Sequence, residues 1–123
     1  MMFPRLSRFG VVFAVLFALS LMACQTAAAD NGNRLTAEQV RSAFIGREWS
    51  QGQGTFLFSR DGTYRYADSR MTAQGTWQMN DNGVLCATNS HSGVRTCYTF
   101  YRDGNGYRYW HDRERRYWPA YLR

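Results

Sequence analysis

From residue 47 to its end the chain is a succession of short segments rich in Tyr, Phe, Trp and Thr, cut at regular intervals by glycine-containing turn sequences. The interruptions are Asp61-Gly62, Asn82-Gly83, the cluster from Asn89 to Gly93, and Asp103-Gly104-Asn105-Gly106. Aromatic and β-branched residues suit a pleated, half-buried surface, and Asn-Gly or Asp-Gly between two such runs is a strong hairpin signal. The pattern predicts strands at about 47–50, 55–60, 63–68, 73–79, 84–88, 94–102, 107–111 and 116–121. Strands in such a row imply a mainly β fold, an antiparallel up-and-down meander. Closing it into a small barrel removes the exposed edges, and a two-sheet sandwich is the alternative.

One short N-terminal helix is marked out beside the strands. Thr36 followed by Gln39 forms a capping box, Leu35 and Val40 are spaced as a hydrophobic staple, and Gly46 supplies a stop. The helix is expected over about 37–45, as a plug or flank of the barrel, with Val40, Phe44 and Ala43 turned inward. At 123 residues the chain has room for one small domain, which excludes a two-domain enzyme.

Residues 1–29 read as an export signal. Arg5 and Arg8 precede an apolar run from Val11 to Met22 that is too short to span a bilayer as a stable helix. Two cleavage routes are open. Leu21-Met22-Ala23-Cys24 has the form of a lipobox, with Cys24 as the lipidated residue, and Ala27-Ala28-Ala29 before Asp30 is an A-x-A site. The expected location is the periplasm or the outer membrane as a lipoprotein, otherwise secretion, with the membrane reached only through a lipid on Cys24. Residues 30–34 read as a linker and 35–123 as the barrel domain.

On either route Cys86 and Cys97 are left as an even pair, and an oxidising compartment predicts a disulfide between them. The turn formers between them place the two cysteines opposite each other on adjacent strands. If they are directly opposite, Leu85 pairs with Tyr98 and the core lies on the side of Leu85, Tyr98 and Phe100, away from the disulfide; a one-residue slip would reverse the faces. By the same alternation Phe56 with Phe58, Tyr64 with Tyr66, Trp77 with Met79, and Tyr107 with Tyr109 each share a face.

The cationic residues are all arginine, and past the leader they number thirteen against nine acids. Codon usage in a GC-rich genome explains this, and so does selection for bidentate anion recognition. The Tyr-Arg-Tyr triplets centred on Arg65 and Arg108 have two orientations. Tyrosines inward make core and leave the arginines in water; arginines inward would call for an anionic ligand. Asp61 and Asp103 are explained as turn residues before glycine.

Ordered along the chain are Gly46-x-x-Trp49, Ser59-x-Asp61-Gly62-Thr63-Tyr64, Gly75-Thr76-Trp77, Leu85-Cys86 and Cys97-Tyr98-x-x-Tyr101-Arg102-Asp103-Gly104. Together with the leader this pattern resembles a small secreted bacterial family, domain of unknown function 995, over about residues 44–112. The resemblance implies export and a lipocalin-like β-fold, and it carries over no site residue.

Catalytic signatures are missing from the sequence. His91 and His111 have no zinc spacing, and no nucleophile elbow, phosphate loop or dinucleotide fingerprint occurs. No catalytic residue, metal or cofactor is expected. Three functional readings follow. The first is a non-enzymatic barrel that binds a small apolar or anionic ligand through Trp77, Tyr98, Tyr107, Tyr109, Arg65 and Arg108. The second is an envelope interaction module, such as an enzyme inhibitor, meeting an envelope protein or cell-wall polymer through Arg113, Arg115, Arg116 and Trp118. The third is a weak hydrolase built on His111 with Asp112 or Glu114. Export argues against nucleic acid as a partner, although arginine interleaved with aromatics suits it.

Overall fold

The structure, a computed structural model, describes residues 33–123, so the leader, Cys24 and both cleavage sites lie outside the described residues. Eight antiparallel strands follow one helix in chain order: α1 (Ala37–Phe44), β1 (Glu48–Ser50), β2 (Thr55–Phe58), β3 (Thr63–Ala67), β4 (Thr72–Met79), β5 (Leu85–Asn89), β6 (Arg95–Asp103), β7 (Gly106–His111) and β8 (Arg116–Leu122). Each strand pairs with the next, and β8 returns to β1 through Trp49 opposite Leu122. The sheet is a closed up-and-down barrel, which leaves no free edge and replaces the sandwich alternative.

The turns end the strands where their side chains satisfy the backbone. In the β2–β3 turn Ser59 N–H donates to Thr63 O and Gly62 N–H to Ser59 O, while Asp61 Oδ1 accepts from both the backbone and the hydroxyl of Thr63. This closes β2 at Phe58, two residues before the sequence boundary. Asn80 Oδ1 accepts from the N–H groups of Asn82 and Val84, so β5 starts at Leu85. Gly83, with φ of 82°, lies against the first residues of the helix, and a Cβ there would crowd Leu35 O and Ala37 N.

Helix α1 has both halves of its capping box: Thr36 Oγ1 accepts from Gln39 N–H at 3.2 Å, and Gln39 Oε1 accepts from Thr36 N–H at 2.9 Å. It ends at Phe44 because Ile45 is already extended and bridges to Phe58 of β2. Before the helix, Leu35 N–H donates to Phe100 O and Asn33 O accepts from Arg102 N–H, both on β6; after it, Gly46 N–H donates to Phe58 O. Asn33 and Arg34, assigned by composition to the linker, are thus tied to the barrel. The helix crosses one end of the barrel from β6 to β2 and closes it.

Phe44 is the stopper. Its ring stacks on Phe100 at 4.3 Å and meets Trp49 and Tyr107 edge-on. Beneath it the interior is aromatic, centred on Trp49, which is fully buried, stacks on Phe56 at 4.3 Å and meets Tyr109 edge-on. The rest of the core is the inward set of each strand, including Phe58, Tyr64, Leu85, Ala87, Tyr98 and Ala120. Cys86 and Cys97 are directly opposite and joined by a disulfide, with Leu85 opposite Tyr98, so the bridge stands on the face away from the core.

Candidate functional site

The end opposite the helix is open. Four loops surround it, those following β1, β3, β5 and β7, and a cavity of about 420 Å³ descends between them to Phe56. That volume lies within the range of small-molecule sites. Strand alternation builds its wall. Because Tyr64 and Tyr66, Tyr98, and Tyr109 and His111 take the inward positions of β3, β6 and β7, their side chains line it. The tyrosine rings gather over Phe56, with Tyr66 at 4.7 Å and Tyr98 at 5.9 Å from it, and Tyr98 meets Tyr109 edge-on at 5.4 Å. Met71 and Val94, two exposed apolar side chains, sit among the lining residues at the rim.

Two networks of hydrogen bonds fix the mouth. On one side the buried Gln51 accepts Gly54 N–H and donates from Nε2 to the Tyr66 hydroxyl, which in turn donates to Asp68 Oδ2 at 2.7 Å. Asp68 Oδ1 accepts from the N–H groups of Arg70 and Met71. The Tyr66 hydroxyl and then these N–H groups hold the Asp68 carboxyl below its ordinary range. On the other side Glu114 Oε2 accepts from Trp118 Nε1–H at 2.8 Å and lies 3.4 Å from His111 Nε2. His111 Nδ1 accepts the backbone N–H of Glu114. Burial pushes the His111 pKa down, outweighing the nearby carboxylates, so the imidazole is neutral at physiological pH.

The hydroxyls of Tyr64, Tyr98 and Tyr109 have no protein partner among the described residues. They are not sealed in, because Trp49 Nε1 is the one fully enclosed side-chain nitrogen or oxygen without a partner among those residues. The three phenols therefore reach the cavity and take their hydrogen bonds from what fills it. Burial raises the pKa of Tyr98 and Tyr109 far above the ordinary phenol value, so both remain neutral hydroxyls that can donate and accept.

Of the six residues the sequence put forward for a ligand, Tyr98 and Tyr109 line this cavity and four do not. Trp77 stands at the helix end of β4, where its Nε1–H donates to Ser59 O and ties the β2–β3 turn to the wall. Tyr107 is also at the closed end, under Phe44, with Arg102 over its ring. Arg65 is exposed on the outer wall, and Arg108 lies outside between the rings of Tyr101 and Tyr117, at 5.2 and 5.0 Å. The tyrosines of both triplets take the inward positions, so neither arginine enters the interior.

The four residues put forward for a partner are divided. Trp118 turns into the mouth and is held by Glu114; Arg116 stacks on its ring at 4.0 Å, while Arg113 and Arg115 are exposed on the β7–β8 turn. The sequence reading missed Gln51, Tyr64, Tyr66 and Asp68. Tyr64 and Tyr66 were within reach, since they share a face, but Gln51 and Asp68 are loop residues whose partners only the closed barrel brings near.

Two other features compete for attention. A wider groove of about 570 Å³ runs outside the closed end between α1 and the strands, past Glu38, Arg47, Arg102 and Tyr107. It lies along the surface and has no converging wall of unpartnered hydroxyls, so the mouth is the better site. The structure also brings His111 and Glu114 together, as the hydrolase reading required. Glu114 faces both imidazole nitrogens, however, and with Nδ1 already accepting a hydrogen bond no lone pair is free to take a substrate proton. Asp112 Oδ1 accepts Cys97 N–H and serves the β6–β7 pairing. No group of three metal-ligating side chains occurs among the described residues.

The resemblance motifs now have physical roles in turns and core: Gly46 bonds to β2, Asp61 caps its turn, Trp77 pins a turn and Cys86 makes the bridge. No curated protein and no solved structure matches the chain. A family model described as "Protein of unknown function (DUF995)" matches residues 12–118, most of the chain and more than the motifs alone span, and the chain therefore belongs to that family.

Proposed function

We propose that the protein is an exported, non-enzymatic binding barrel that holds a small molecule in its open mouth. One observation carries this reading: the partnerless hydroxyls of Tyr64, Tyr98 and Tyr109 on the wall of a cavity of about 420 Å³. Polar groups inside proteins are almost always hydrogen-bonded, and a wall that leaves three of them facing one space is built for contents that supply partners. The barrel supports the reading because its closed end and aromatic core fix the wall, while hydrogen-bonded loops hold the mouth around the cavity. The leader supports an envelope or secreted location, with a lipid on Cys24 as the proposed anchor.

Native mass spectrometry of the protein from its host's envelope and soluble fractions tests this. A non-covalent mass lost when Tyr98 and Tyr109 are both changed to Phe, in a protein that keeps its circular dichroism, is the expected result. A bound mass that survives the double change while Trp77→Phe removes it would move the site to the closed end and overturn the reading.

A further inference from the structure

We infer that the mouth selects a small organic cation, an alkylammonium or quaternary ammonium group seated among the rings of Tyr66, Tyr98 and Tyr109 and balanced by the carboxylates of Asp68 and Glu114. The inference rests on the binding reading above and names its ligand class.

The charges are the first argument. Three charged side chains line the cavity, Asp68, Glu114 and Arg70, and two of them are acids. The chain carries fifteen arginines against nine acids, and Arg70, Arg113, Arg115 and Arg116 all stand on the mouth loops or beside them. Yet among the described residues no arginine lies within ion-pair distance of either carboxylate; the one arginine ion pair is Arg108 with Asp103, on the outer wall. In so basic a chain, two acids at the entrance of one cavity stand without an arginine in ion-pair contact, Arg70 acting on Asp68 only through space, and both are available to a cation from outside.

Both carboxylates are held in place before any ligand arrives. Asp68 is fixed by the Tyr66 hydroxyl and two backbone N–H groups, and Glu114 by the Trp118 indole. Such anchoring fixes their direction without neutralising them, since every one of these donors is uncharged. His111, the nearest base to Glu114, is kept neutral by burial and adds no compensating charge.

The rings are the second argument. An aromatic face attracts a cation within about 6 Å of its centroid, and several faces round one point make the usual receptor for an ammonium. Tyr66, Tyr98 and Tyr109 are already drawn together over Phe56, while Trp118 at the rim carries the Arg116 guanidinium on its ring. The phenol oxygens accept hydrogen bonds from an ammonium N–H or contact a methylated head through their lone pairs. An anion would meet two fixed carboxylates, and a purely apolar molecule would leave the hydroxyls without partners.

The test compares ammonium compounds with neutral molecules of nearly the same shape, beside one anion. The mature protein is titrated, by calorimetry and by tryptophan fluorescence, with choline against its neutral carbon isostere 3,3-dimethylbutan-1-ol, with phenethylamine against phenethyl alcohol, and with decanoate as an anionic amphiphile. At least one ammonium should bind tenfold or more tightly than its neutral partner. Glu114→Gln should then weaken it at least tenfold, and Arg70→Gln should tighten it, a gain that a merely structural role for Arg70 would not produce. Equal binding within both pairs, or tighter binding of decanoate, overturns the cation inference. If that binding is lost with Tyr98→Phe and Tyr109→Phe, the pocket reading survives. No binding of any probe, together with no bound mass in protein from the host, overturns both.

Discussion

His111 shows how burial at the mouth translates into pH dependence. Its folded pKa is depressed below the usual value of about 6.5, so as pH falls through 6.5 the unfolded chain takes up the proton first. The folded state then loses stability between that pH and the lower folded value. The urea midpoint should therefore drop between pH 7.5 and 5, and His111→Gln should flatten that drop; an unchanged slope would mean that His111 is not held neutral. Asp61 and Asp68, whose pKa values are lowered by hydrogen bonds, lose their contribution only further down, below about 4. Tyr98 and Tyr109 act at the alkaline end with the opposite sign. Their raised values let the unfolded chain ionise first, so stability is full below about pH 10 and is lost above it. Changing both to Phe should move the alkaline unfolding midpoint upward. Alternation in Tyr64-Arg65-Tyr66 and Tyr107-Arg108-Tyr109 was legible as two faces, and burial of the tyrosines follows from the cost of enclosing an unpaired guanidinium. Which phenols are left without partners was not legible, because it depends on what the closed barrel places across from each of them.

Strands, helix and disulfide were the legible level, since each is specified by residues next to one another. Asp61 before Gly62 and Asn80 before Gly83 cap their own turns, and the box of Thr36 with Gln39 needs nothing beyond the helix it starts. Thr36→Ala leaves the Gln39 amide N–H without its acceptor and should cost about 1 kcal/mol, read as a melting-temperature fall of roughly 4–8 °C for a domain of this size. A change within experimental error would show that the box adds nothing in this context. The pair Cys86 and Cys97 fixed the register of β5 against β6 because directly opposite residues share a face. With a sequence separation of 11, the bridge contributes about 3 kcal/mol in the loop-entropy model, so replacing both cysteines by Ser should lower the melting temperature by about 10 °C or more. Gly75 stood out only as part of Gly75-Thr76-Trp77, and the reason for a glycine there was not legible. A Cβ there would run into the Thr88 carbonyl, because the end of β5 folds over it and Ser90 N–H bonds to Gln74 O. That approach is created by pairing with a strand more than ten residues away, and no local turn signal announces it.

The two ends of the barrel are built differently, and this division tests the functional reading most directly. One end is sealed by packing: α1 lies across it, Phe44 fills it, and Trp77 and Tyr107 complete the seal. The other is held by polar networks around a space. Sequence predicted the barrel and the helix as plug or flank, since a meander of eight short strands has edges to hide and the helix has one apolar face. It gave no means to say which end is covered, because that follows from the bonds of Asn33, Leu35 and Gly46 to β6 and β2. Trp77, put forward among the ligand residues, accordingly lies at the covered end and outside the mouth cavity. Packing energy and binding should therefore separate in mutants. Phe44→Leu removes ring contacts with Phe100, Trp49 and Tyr107, and should cost about 1–2 kcal/mol of stability. Its affinity for whichever probe binds the native protein should fall less than that of Tyr98→Phe, because in the ring packing Phe44 meets Phe56 and Tyr109 of the cavity wall only through Trp49 and Phe100. Tyr98→Phe should do the reverse, since the hydroxyl it removes has no protein partner to lose while a bound molecule would lose one. A Phe44→Leu protein that unfolds earlier yet keeps most of its binding, beside a Tyr98→Phe protein that melts as before yet binds weakly, is the outcome required of a sealed end and a working mouth. Matching losses in both measurements for both variants would instead make the cavity part of one continuous core, and the mouth would no longer be the site.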